Sequence, residues 1–509
     1  MFVRRKYNKS GSVSVQVLHK RGGRNVLVRS FGSSKVEAEI CEMERQAYDF
    51  IRTYQGQMVF DFEAHLHQQR QMQLDDIFNS IVEVRQDAAK LMLERIYRGI
   101  GFDAIEDDTL RLLAIARVCQ PKSKAATVDY LKRCFHEDVK LHQIYRYMDK
   151  LYNTQQELIQ RISVEHTRGI LGGRIGIVFY DVTTLYFETA REDVLRHPGF
   201  SKDGKTAESQ IVLGLLVSRD GYPLSYNIFN GSQYEGRTFI PIVDDFVQRF
   251  ALTDFIVVAD AGLLSRKNIK LLKAAGYKFI LGGRIKSETA KVRQWVLYLE
   301  KDPKKLYETA INGNERVIIS YSEQRAAKDR HNRERGIERL RKAYAAGKIT
   351  KQNINKRGYN KFLIAENNVA VSINEEMIKE DANWDGLKSY VTNTDLPAAE
   401  VIDQYRGLWV VERAFRITKG TLEARPIFHF TERRIEAHIC ICFVAYKLYK
   451  ELERLLHALD IPLSVDRALD IAKTISTLTV SLPDGTTATR LMLMSDEQRL
   501  LQPLLPPDL

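Results

Sequence analysis

Two aspartates close apolar runs in this sequence. Asp181 follows "IGIVFY" (175–180) and Asp260 follows "DFIVVA" (254–259), and both runs have the length and β-branched content of buried strands. A carboxylate at such a point caps a turn, pairs with an arginine, or is presented for chemistry. Whether the two acids meet depends on the order of the elements between them. A first strand ends at Asp181. A second, "SQIVLGLLV" (209–217), turns at "SRDGY" into a third, "PLSYNIFN" (223–230). A helix over 237–250 and a fourth strand over 254–260 follow. A helix capped by Ser265 and ended by Gly276 then leads to a fifth strand, "YKFILG" (277–282).

Three antiparallel strands, then helix, strand, helix and strand, is the order of a ribonuclease-H-like α/β fold. In that order the first and fourth strands are parallel neighbours, about 4.8 Å apart, and their carboxyl ends lie where α/β sheets place their sites. Asp181 and Asp260 are then expected side by side. Two like charges so close are costly without a cation between them, and oxygen-only ligands point to Mg²⁺ or Mn²⁺.

A third acid stands in "VIDQYRGLWVVERAFRITKGTLEARPIFHF" (401–430). On one continuous helix, Tyr405, Trp409, Glu412, Arg416 and Lys419 fall within about 80° of one face, while Leu408, Val411 and Phe415 form an apolar face for the sheet. Taken alone, this is an ordinary surface stripe with Glu412 paired to Arg416. His429 and His438 lie near it without a partner at metal spacing and read as structural or DNA-facing; Glu188 and Glu235 are possible supporting carboxylates. Trp409 could stack on a base, although an aromatic at helical spacing is more often core.

The blocks "FYDVTT", "VVADAGLLS" and "YRGLWVVERAFRITK" resemble the three catalytic blocks of DDE transposases from bacterial insertion sequences, in the group with a Tyr-x2-Arg-x3-Glu-x6-Lys signature. The resemblance spans roughly 170–450 and includes "GFSKDGKTAESQIVLGLLVSRDGYPLSYNIFNGSQYEGRT". It makes Asp181, Asp260 and Glu412 the catalytic acids and ligands of two Mg²⁺ ions, with Mn²⁺ able to substitute. It also implies phosphate contacts from Tyr405 and Lys419. The signature arginine is replaced by Leu408, so Arg406 or Arg416 takes its contact; an unbroken helix favours Arg416. The implied partners are double-stranded DNA, as element ends and as target, and a second copy of the chain in a synaptic homodimer. The rival readings are a nuclease that only hydrolyses and a DNA-binding derivative without catalysis.

The chain between Asp260 and Glu412 is too long for a plain core, and the family carries a β-rich insertion there. The expected organisation is a basic β hairpin region (1–40), a helical DNA-binding domain (41–170), a catalytic core (171–287 and 391–450), the insertion (288–390) and a helical C-terminal region (451–509). The first 40 residues hold nine Lys or Arg against two acids. In the insertion a long charged helix begins near Glu323, and 325–361 carry thirteen Lys or Arg against three acids. Arg325, Arg330 and Arg333 are therefore expected to track phosphates. With 509 residues, 44% hydrophobic, 28% charged and net charge +12, the chain reads as a large globular protein with an anionic partner. No apolar run has signal-peptide or membrane-span length, which points to the cytoplasm. The five cysteines have no zinc spacing and are expected reduced and buried. No nucleotide-binding loop is present.

Overall fold

The computed structural model describes residues 1–54, 62–189, 191–199, 208–250, 252–355, 358–366 and 370–508. Residues 200–207 of the long block quoted above, and the side chain of Glu235, lie outside this set. The chain forms two compact units, 1–83 with 479–488 and 84–478 with 489–509.

In the first unit the hairpin expected around Gly22 and Gly23 is joined by a third strand. Phe2–Tyr7, Val13–Arg21 and Arg24–Ser34 make an antiparallel sheet, and helix Glu37–Thr53 covers it through Val15, Val17, Ile40 and Ala47. Arg5 of the first strand is held by Glu37 at 2.7 Å and Glu44 at 2.6 Å, so part of the basic charge in this segment is neutralised locally.

The second unit is mixed α/β. Its central sheet has eight strands among the described residues, labelled here in chain order: β1 Ile177–Tyr186, β2 Gln210–Ser218, β3 Pro223–Asn230, β4 Ile256–Ala259, β5 Lys278–Gly282, β6 Leu306–Asn312, β7 Glu315–Tyr321 and β8 Leu387–Thr392. Their spatial order is β6-β7-β8-β5-β4-β1-β2-β3. β1 pairs parallel with β4 and antiparallel with β2, and β4 pairs parallel with β5. Strands β1, β2, β4 and β5 are largely buried on both faces, which is why they read as nearly continuous apolar runs, whereas β6 at the edge alternates exposed and half-buried positions. One face carries Val178, Tyr180, Val257 and Phe279 against α1 (Phe239–Phe250) and α2 (Arg266–Ala274). The Ser265 hydroxyl accepts from the Asn268 amide to start α2, and Gly276 ends it at φ +75°, as its position predicts. The opposite face carries Phe179, Val258 and Ile280 against four further helices: α3 Ala398–Arg406, α4 Trp409–Arg416 and α5 Glu432–Ala458, with Asp108–Cys119 beyond.

Several boundaries differ from expectation. β1 does not stop at Asp181 but continues to Tyr186, because β2 goes on pairing with it after β4 has ended. Residues 288–390 are not set apart: β6, β7 and β8 extend the central sheet beyond β5. The C-terminal region is not all helical. "STLTVS" and "TATRLM" form strands Ser476–Ser481 and Thr487–Met492, and the turn between them brings the Leu482 amide to the Thr486 carbonyl at 2.7 Å. The β-branched alternation around "PDG" was the local signal for them. Cys41 is exposed, whereas Cys119, Cys440 and Cys442 are buried; none is disulfide-bonded among the described residues. No described helix is long and apolar enough to cross a membrane.

The helix expected to run unbroken from Val401 through Lys419 is interrupted at Gly407 and Leu408. A Cβ at Gly407 would meet the Phe179 ring at 2.5 Å, so glycine lets the chain cross close over β1. Gly407→Ala is therefore expected to cost about 1 to 3 kcal/mol by overpacking. Thermal unfolding would read this as a lowered melting temperature; an unchanged value would mean that Phe179 yields freely.

Candidate active site

The pairing of β1 with β4 runs from Ile177 opposite Ile256 to Tyr180 opposite Ala259. One further step in that register would set Asp181 beside Asp260. Alternation along the strands gives both acids the parity of Phe179 and Val258, the face on which α3 and α4 pack. Asp181 is half-buried, and its Oδ1 accepts from the Val182 amide at 2.8 Å. Asp260 is exposed and begins the 3₁₀ turn Ala261–Leu263. Arg284 braces that turn, donating to the carbonyls of Ala261 at 2.8 Å and Gly262 at 2.9 Å.

Tyr405 does not face solvent with Glu412. It is 6% exposed, and its hydroxyl donates to Asp260 Oδ1 at 2.7 Å. The helix break is the cause. The amides of Leu408, Val410 and Val411 bond three residues back, to the carbonyls of Tyr405, Gly407 and Leu408, and such steps turn the chain about 120° rather than 100°. Gly282 leaves the space that the hydroxyl occupies, since a Cβ there would lie 2.4 Å from it. Burial first, then the charge of Asp260, pushes the Tyr405 hydroxyl far above its usual range, so it stays a neutral donor. The expected phosphate contact of Tyr405 is thus replaced by a contact to a catalytic candidate.

Lys388 on β8 completes this corner, and the sequence reading missed it. Its Nζ lies 4.4 Å from the Tyr405 ring centroid and 5.3 Å from that of Tyr390. Burial first, then the charge of Arg325, lowers its pKa; Asp260 pulls the other way, and Arg406 adds to the lowering. The charges of Arg325 and Arg406 thus reach Lys388. The helix break removes the unbroken-helix geometry on which the preference for Arg416 was drawn. A lone lysine in a strand gives no sequence signal; only the pairing of β8 beside β5 brings it here.

Glu412 lies exposed on α4, whose Val411, Ala414 and Phe415 are buried against the sheet. Arg416 is exposed on the same helix, and Trp409 is 57% exposed rather than core. Lys419 is half-buried in the wider π turn Ile417–Thr421. Leu408, at the position of the signature arginine, is 7% exposed and packs in the core. Among the described residues no three His, Cys, Asp or Glu are grouped closely enough to hold one ion. Continued by one residue, the β1–β4 register would put Asp181 next to Asp260, while Glu412 stands on the adjoining helix. Two juxtaposed carboxylates, one oriented by a neutral donor, have the chemistry of a hard divalent cation site.

The long basic helix Glu323–Ala345 is not solvated all round. Arg325 is exposed and 3.6 Å from Asp329, and Arg330 is exposed. Arg333 is buried and bidentate to Asp385, with one contact at 2.7 Å, so its expected phosphate role is corrected to a structural ion pair. The reason is the packing of Ile337 and Leu340 against Phe362 and Leu363, which turns that side of the helix inward. His429 and His438 are buried, and Glu188 is exposed.

A family model described as a transposase DDE domain matches residues 172–448. Among solved structures, the chain is similar to a piggyBac transposase synaptic complex with hairpin DNA, at 9% identity and TM-score 0.40, over 76% of this chain and 78% of that one. It is also similar to a Mos1 transposase paired-end complex with the left transposon end, at 9% identity and TM-score 0.16, over 34% and 58% of the two chains. A Mos1 mariner paired-end complex with Mn aligns at 11% identity and TM-score 0.15 over the same shares. No curated protein matches the chain.

Tyr405→Phe removes one hydrogen bond to a carboxylate and little volume. DNA cleavage is expected to fall about tenfold or more, with a higher divalent-metal concentration needed for half-maximal rate and little change in melting temperature. An unchanged metal dependence would reduce Tyr405 to packing.

Proposed function

The chain belongs to the DDE-domain transposases, and from that premise we propose that Asp181, Asp260 and Glu412 are its catalytic acids. The family makes it a metal-dependent enzyme that cuts and joins DNA in transposition. One observation supports the residue assignment: the β1–β4 register ends one residue before Asp181 and Asp260, and Tyr405 donates to Asp260 from the helix pair that also bears Glu412. The strand order β3-β2-β1-β4-β5 supports a ribonuclease-H-like core, with β6 to β8 contributed by the insertion.

In this reading the three acids would hold Mg²⁺, or Mn²⁺ in its place. When bound, the metal supplies an activated attacking oxygen and stabilises the departing one. Tyr405 keeps Asp260 aimed. Lys388, Arg325 and Arg406 form a cationic wall that can take the scissile phosphate while its charge develops. Water attacks a phosphodiester at the element end, breaking one P–O bond and leaving a 3′-hydroxyl. That hydroxyl then attacks a target phosphodiester, so one bond forms as another breaks and the two steps differ only in nucleophile. The basic N-terminal residues and the helices of 84–170 are proposed to bind the element ends, and two copies to bridge them. The work is proposed to take place in the bacterial cytoplasm.

The test uses the purified chain, Mg²⁺ and a plasmid carrying the gene with its own flanking DNA. Asp181→Asn, Asp260→Asn and Glu412→Gln are each expected to abolish cleavage while DNA binding persists; activity within tenfold of wild type in any one removes that acid from the site. Joined products alongside cuts separate transposition from simple hydrolysis. Arg406→Ala is expected to slow cleavage about tenfold, and more than Arg416→Ala at matched salt, because one charge-assisted contact is worth about 1.5 to 3 kcal/mol. The opposite ranking would restore the unbroken-helix geometry.

A further inference from the structure

A cavity of about 420 Å³ opens between the short helix Lys124–Tyr130 and the loop that follows Leu422. Its inner wall is basic. Lys124 is 5% exposed and Arg117 6%, with His429 and His438 buried behind them. Lys124 makes no ion pair among the described residues. Arg117 has only long contacts, 3.5 Å to the carbonyls of Leu422 and Glu423. His438 Nε2 donates to the Ala424 carbonyl at 3.1 Å, and its buried Nδ1 has no partner. The acidic residue in the lining, Glu423, is exposed.

Buried cations are normally matched by carboxylates, because an isolated ammonium loses its hydration without return. Here the cations face one another instead. Burial first, then Arg117, pushes Lys124 down to about 7; burial first, then Lys124 and Arg117, pushes His429 down to about 3 and His438 well below its usual range. An anion in the cavity would relieve all four groups at once.

The position of the cavity indicates which anion. Its loop is tied to the last residue of β1: the Ile427 amide donates to the Tyr186 carbonyl at 3.3 Å, and the Arg425 guanidinium lies 5.4 Å from the Tyr186 ring centroid. Tyr186 stands five residues beyond Asp181, on the order of 17 Å along the strand. That distance is about five nucleotide steps at roughly 3.4 Å each. Phe428, 58% exposed at the mouth, offers a face on which a base can stack.

We propose that this cavity binds a backbone phosphate of the DNA being cut, gripped by Lys124 and Arg117, with the adjoining base against Phe428. The proposal rests on the transposase reading of the Asp181 site for the identity of its ligand. Its test does not require cleavage.

Binding of the full-length chain to duplexes taken from the DNA flanking its gene is measured without divalent metal, across a salt series. Lys124→Met is expected to weaken binding about tenfold and to reduce the slope of log affinity against log salt by about one. Its melting temperature should hold or rise, since an unpaired buried charge is removed. Phe428→Ser, at an exposed position, is expected to weaken binding about fivefold without touching the core. Wild-type affinity and slope in both variants would overturn the proposal, and Phe428→Ser alone decides it if Lys124→Met does not fold. A rise in wild-type melting temperature with inorganic phosphate, lost in Lys124→Met while DNA affinity is unchanged, would also overturn it, assigning the cavity to a free anion. Loss of cleavage with intact binding in Asp181→Asn addresses the catalytic reading separately.

Discussion

At a strand spacing of about 5 Å and an effective dielectric near 20, two carboxylates repel by about 3 kcal/mol before solvent screening, and the β1–β4 register, continued by one residue, would hold Asp181 and Asp260 in this way. Much of the surrounding structure bears on that repulsion. Tyr405 donates to Asp260, Lys388 lies over the Tyr405 ring, and the charges of Arg325 and Arg406 reach Lys388. A site meant only for stability would have replaced one acid with an apolar residue. Keeping both, and aiming one with a buried neutral donor, suits a site that receives cations and phosphates in turn.

The supports for this corner come from distant parts of the chain and converge because two glycines let backbones approach. Gly282 gives the Tyr405 hydroxyl its place beside Asp260, and Gly407 lets the α3–α4 link cross over Phe179, two residues before Asp181. The same crossing tightens the helix at Leu408. That local change accompanies the inward turn of Tyr405 and the burial of Leu408 at the position of the signature arginine.

Positive charge is used in three different ways in this chain. Some of it is structural, as in Arg333 against Asp385 or Arg5 against Glu37 and Glu44. Some gathers at the Asp260 corner. A third group, Lys124 and Arg117, is buried without an ion pair among the described residues. The net charge of +12 does not distinguish these groups. Burial and partners do, because a cation beside a carboxylate is neutralised while one without remains available to an anion.

The order of elements from Ile175 to Gly282 was legible in the sequence, since strand alternation, the Ser265 cap and the Gly276 stop are local signals. That order also implied that Asp181 and Asp260 would be neighbours. Glu412 was singled out only through the resemblance, which matches its spacing from Tyr405 and Lys419. Tertiary structure alone decided the rest. The turn of Tyr405 toward Asp260 depends on Gly407 meeting Phe179, a contact between residues far apart in the chain. Lys388 enters the site only because β8 pairs with β5, and Arg333 leaves the DNA-facing set only because Asp385 folds against it. Local patterns specify which residues can form a strand or helix. Which side chains meet is determined by long-range packing, whose partners no spacing in the sequence records.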